Sequence, residues 1–141
     1  MLVSRYRPHA FAFSVAFAAA CAVGPARAEP ENTTADAVLG QLDFTTNADN
    51  QGATPTAASL SGNRGLFVDA TGRLWVADSG NNRVLSWPDA PAFMNGDPAD
   101  IVLGQADFTS NQPNKGNASP DATTLADPRS VAVDADGRVY V

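Results

Sequence analysis

Cysteine and histidine each occur once, at Cys21 and His9, so the chain beyond residue 21 has neither. No disulfide, no Cys/His zinc site and no Ser-His-Asp or Cys-His nucleophile can be built from those residues. Basic residues are also few. The chain has 9 Lys and Arg against 15 Asp and Glu, a formal net charge of -6. Arg5, Arg7 and Arg27 lie in the first 28 residues and every acid lies beyond them, so the remainder is more acidic than the whole. Such a surface repels phosphate backbones, and nucleic acid is excluded as a partner. Beyond the N-terminal segment there is no apolar run long enough to span a bilayer and no window of helical periodicity.

Residues 1–28 read as a secretory signal peptide. Arg5, Arg7 and His9 form a positive start, Ala10–Val23 is a short apolar run, and Ala26-Arg27-Ala28 offers the small residues of a cleavage site. Ala18-Ala19-Ala20-Cys21 loosely resembles a bacterial lipobox but lacks its leucine, so cleavage after Ala28 is preferred over lipidation at Cys21. The expected location is periplasmic or secreted. Residues 29–36 read as a linker, and residues 37–141 as the folded part.

That part repeats itself. Val38-Leu39-Gly40-Gln41-Leu42-Asp43-Phe44-Thr45-Thr46-Asn47 returns 64 residues later as Val102-Leu103-Gly104-Gln105-Ala106-Asp107-Phe108-Thr109-Ser110-Asn111, with eight of ten positions identical. Gly65–Val76 returns 65 residues later as Ser130–Val141, with six of twelve identical. The one-residue slip falls in polar sequence between the blocks, where loops absorb insertions.

Within a unit the pattern predicts four short antiparallel strands. Arg64–Asp69 ends at the turn Ala70-Thr71-Gly72. Arg73–Asp78 alternates apolar residues about Trp75. The dense turn signal Ser79-Gly80-Asn81-Asn82 follows, then Arg83–Trp87, halted by Pro88, and finally Asp100–Leu103. Four short strands in a repeated unit of about 65 residues is the pattern of a propeller blade. Asp78 and Arg83 flank the central turn and are expected to pair across it, for about 0.2–1 kcal/mol. Trp75 and Trp87 are expected to fill space between blades.

Leu66–Val84 closely resembles the NHL repeat, in which a hydrophobic strand ending in Asp is followed by a Gly-Arg-aromatic strand and then Ala-Asp-x-x-Asn-x-Arg-Val. The matching motif residues are Asp69, Gly72, Arg73, Asp78, Asn82 and Arg83, and in the second copy Asp134, Gly137 and Arg138. The resemblance implies an all-β fold of four-stranded blades, commonly six to a ring. Residues 37–141 are expected to hold one complete blade plus parts of its neighbours, because closing a ring takes roughly 4–8 blades. Val38-Leu39-Gly40, equivalent to Val102-Leu103-Gly104 of the outer strand, is expected to complete the last blade of a closed ring.

In such a blade the Ser79–Asn82 turn and the connection 104–124 share one side. Asp78, Asn81, Asn82, Asp107, Thr109 and Asn111 are therefore the candidate binding face. Asn47-Ala48-Asp49-Asn50-Gln51-Gly52 has some calcium-loop character, but its twelfth position is Ala58 where a glutamate is needed. No cofactor is expected, with calcium at this loop as the alternative. The expected function is an exported scaffold that binds protein, peptide or glycan and has no catalytic residues of its own. The other reading is an enzyme similar to gluconolactonase-like hydrolases or peptidyl-hydroxyglycine lyases. Their metal ligands come from several blades, and none maps onto this sequence.

Overall fold

The computed structural model describes residues 34–141, so the segment read as a signal peptide lies outside the described residues. All the strands belong to one compact unit, Ala37–Val141. A four-stranded antiparallel sheet has the order β1 (Asn63–Val68), β2 (Leu74–Asp78), β3 (Arg83–Trp87), β4 (Ile101–Leu103). A hairpin of β5 (Ala132–Val133) and β6 (Val139–Tyr140) follows. Among the described residues there is no α-helix, only short 3-10 turns, and the fold is all-β.

The strands start and stop within a residue or so of where turn chemistry places them. At the β1–β2 turn, Gly72 takes φ 87°, and its N–H donates to the Asp69 carbonyl at 3.0 Å. Gly137 does the same after Asp134, at φ 80°. A side chain at either position would be strained in this left-handed region. At the β2–β3 turn the left-handed residue is Asn82, at φ 53°, a conformation that asparagine adopts more readily than most.

Alternation gives the sheet two apolar faces. On one, Leu74 and Val76 stand opposite Trp87 and Leu85, with Leu39, Leu60, Phe93 and Val102 packed against them. On the other, Trp75 and Val84 form a cluster with Phe67, Ile101 and Leu103. This second face is covered by the β5–β6 hairpin, which lays Val131, Val133 and Val139 on it. The covering is close. A Cβ at Gly65 would meet Ser130 Cα at 2.7 Å and the Arg129 carbonyl oxygen at 2.9 Å. Gly65 in β1 is thus where the backbone of the second unit passes.

The repeat is carried into local geometry. Asn50 and Gln51 (φ 51° and 58°) are matched by Asn114 and Lys115 (φ 52° and 56°). The Asn50 N–H donates to the Leu60 carbonyl at 3.0 Å, and Asn114 donates to Leu125 at the same distance. Residues 37–40, expected as an outer strand, form bends instead. Leu39 packs on the Leu74 cluster and the Val38 N–H donates to Asn95 Oδ1 at 2.9 Å. A strand exists through its ladder, and this segment has no strand alongside to pair with.

Candidate functional site

The turn that joins β2 to β3 is an interior polar knot rather than an exposed rim. Asp78 and Arg83 are fully buried and meet at 2.7 Å, Oδ2 to Nε. The expectation of a modest cross-turn surface pair is therefore corrected. Loops from both sides close over the turn and exclude water, which raises what is at stake in the pair. Asp78 Oδ1 accepts from the Ser61 N–H at 2.8 Å, and Oδ2 also accepts from Asn81 Nδ2. Arg83 Nη2 donates to the carbonyls of Thr56 and Ser59, and Nη1 donates to that of Phe108 at 2.5 Å. Asn81, 1% exposed, exchanges reciprocal amide bonds with Asn50 at 3.0 and 2.7 Å. Asp78 and Asn81 were placed on the candidate binding face by sequence. The structure withdraws both, because every strong polar atom they offer is engaged inside the protein.

Asn82 stands at the junction. Its Nδ2 donates to the Asn111 carbonyl at 3.0 Å, its Oδ1 accepts from the Asp127 N–H, and its own carbonyl accepts from Gln105 Nε2 at 2.9 Å. The turn and the long 104–124 connection do lie together, and Asn82 and Gln105 tie them. Gln105 also donates to the Gln112 carbonyl, as its counterpart Gln41 does to Ala48. The identity of Gln41 and Gln105 in the two copies was the available signal for this role, and it was passed over.

Asp107, Thr109 and Asn111 stay at the surface side of this junction. Asp107 Oδ1 accepts four bonds, from the N–H and hydroxyl of both Thr109 and Ser110. The backbone N–H of Thr109 is the leading cause that holds the carboxyl down at about 2. Asp43 repeats the arrangement with Thr45 and Thr46, and the Thr45 hydroxyl lowers its pKa. Both carboxylates stay ionised over the ordinary pH range and present fixed negative charge.

The other motif residues brace turns. Asp69 accepts from Thr71, the Arg73 N–H and Trp75 Nε1, and the Thr71 hydroxyl and the Trp75 indole hold its pKa at about 2. Asp134 repeats this with Arg138 and Tyr140. Arg73 makes a bidentate pair with Asp100, at 2.5 and 2.9 Å, and reaches Ser86. Arg138 turns instead to Asp134 and Asp136.

Among the described residues no three His, Cys, Asp or Glu side chains converge on a metal position. The Asn47–Gly52 loop is shaped by its left-handed Asn50 and Gln51, and the Asn50 amide is taken up by Asn81. Among the described residues no helix is long and apolar enough to cross a membrane. Compared with protein-family models, curated proteins and solved structures, the chain has no match.

Proposed function

We propose that the four-stranded sheet is one blade of an NHL-type β-propeller and that the chain is an exported interaction scaffold. Its binding face is the junction of the Ser79–Asn82 turn with the 104–124 connection, and its ligand is a protein, peptide or glycan. The observation that carries this reading is the way one unit seats on the next. Val131 and Val133 lie on the Trp75 face of the first sheet, Val131 being only 4% exposed. Their counterparts 65 residues earlier, Leu66 and Val68, sit on the opposite face at 69% and 48% exposed. Each unit therefore offers one face to its successor and keeps the other for a predecessor of the same kind, which is the stacking rule of a repeat array.

At the junction, Asp107 and Thr109 present polar groups on a loop held by Asn82 and Gln105 rather than free to collapse. The test is a screen of the purified chain on peptide and glycan arrays, with Asp107→Ala and Thr109→Ala as comparison. Signal lost in the variants supports the reading, while binding that ignores both changes, or hydrolysis of an arrayed ligand, defeats it.

A further inference from the structure

Beside β6 the second unit carries a groove of about 370 Å³, walled by Val102, Leu103, Leu125 and Val141, with Lys115 and Thr123 at its rim. The internal repeat states what shape fits those walls. The counterparts of Leu103, Leu125 and Val141 in the first unit are Leu39, Leu60 and Val76. All three pack in the cluster that holds Leu85, which stands opposite Val76 in the β2–β3 ladder and is fully buried.

The polar anchors recur as well. Arg83 Nη2 is received by the carbonyls of Thr56 and Ser59. The equivalent carbonyls beside the groove are those of Asp121 and Thr124. Asn81 is received by the amide of Asn50. Asn114, its equivalent, has the same left-handed backbone and the same bond to a leucine carbonyl. β6 pairs only with β5, so its other edge is free.

We propose that this groove is a peptide acceptor. It takes an extended segment of a partner polypeptide with the pattern Asn-x-Arg-x-Leu, which adds as a strand to the free edge of β6. The leucine drops into the groove, the guanidinium meets the two loop carbonyls, and the asparagine pairs with Asn114. Main-chain bonds to β6 supply affinity, and these three side chains supply selectivity. The chain's own Asn81–Leu85 is the one segment shown to fill such a site.

The probe is a fluorescein-labelled peptide with the sequence of residues 78–88, titrated with the purified chain and read by anisotropy. The expected result is saturable binding, weakened about tenfold by Arg→Ala or Leu→Ala in the peptide. Val141→Asp in the protein is expected to weaken it similarly. Val141 is already 56% exposed, so that change leaves the fold alone. Amide shifts in a 15N spectrum should concentrate at residues 102–105, 121–125 and 139–141. Equal binding of a scrambled peptide, no saturation up to about 1 mM, or shifts centred elsewhere would overturn the proposal. Self-association of the chain that excess peptide does not reverse would give the groove to a second copy, and would overturn it too.

Discussion

Arg83 Nε lies 2.7 Å from Asp78 Oδ2, and neither side chain is exposed. The same guanidinium reaches carbonyls in the loop before the sheet, at Thr56 and Ser59, and in the loop after it, at Phe108. One cation therefore fastens three segments that are far apart in sequence. Removing it leaves a buried carboxylate and three carbonyls without a donor.

Arg83→Ala is accordingly expected to destabilise the unit by about 3–5 kcal/mol, the usual cost of breaking a buried pair from one side. Asp78→Ala should cost a similar amount. Replacing both with well-packed apolar residues should cost clearly less than either alone, because no uncompensated charge is left behind. Urea unfolding followed by tryptophan fluorescence measures all three, and additive losses would contradict the pairing.

Gly65→Ala should separate the second unit from the sheet. The added methyl would lie under 3 Å from the backbone of Arg129 and Ser130, which cannot give way as a flexible side chain could. The expected cost is about 1–3 kcal/mol, typical of overpacking. The accompanying change should be greater amide exchange at Val131–Val133, with β2 and β3 little affected. Uniform loss of protection across all the strands would argue against a local effect.

Acid sensitivity should come from the turn carboxylates. Asp69 and Asp107 are held at about 2, against an ordinary 3.8. Asp43, Asp121 and Asp134 are lowered by similar bonds from turn residues, and Asp100 by its pair with Arg73. Between those values the unfolded chain binds protons that the folded one does not, so folding loses stability as pH falls. Stability should be level above pH 4 or so and decline from there toward pH 2. Asp69→Asn should flatten part of that decline. A urea midpoint that rises on acidification would contradict the assignment.

Leu66 and Val68 expose apolar surface that their counterparts Val131 and Val133 bury or partly bury. Leu66→Ser with Val68→Thr should change unfolding free energy by little, within about 0.5 kcal/mol per site as for other surface changes. The pair should reduce concentration-dependent association in sedimentation velocity. Unchanged association would show that this face is not the sticky one.

The strands were legible because they depend on local signals. Gly72 supplies positive φ, Asn82 tolerates it, and Pro88 ends a ladder, so β1 to β4 fall where the pattern puts them. The candidate face was half legible. Asn82 and Asn111 do meet, as the alternation of connections implied. Asp78 and Asn81 do not belong there, because the loops that bury them come from residues 50–61 and 108, and no local signal reports such a closure.

What the sequence determined alone is the inventory: two copies of one unit, turns at fixed places, alternating apolar strands, and no cysteine or histidine beyond residue 21. Those follow from period and from backbone preference, which act over a few residues. Tertiary structure alone decided which polar groups face water. Burial of Asp78 and Arg83, and the seating of Val131 on the Trp75 face, depend on segments tens of residues apart arriving at one point, and proximity of that kind is a property of the packed chain.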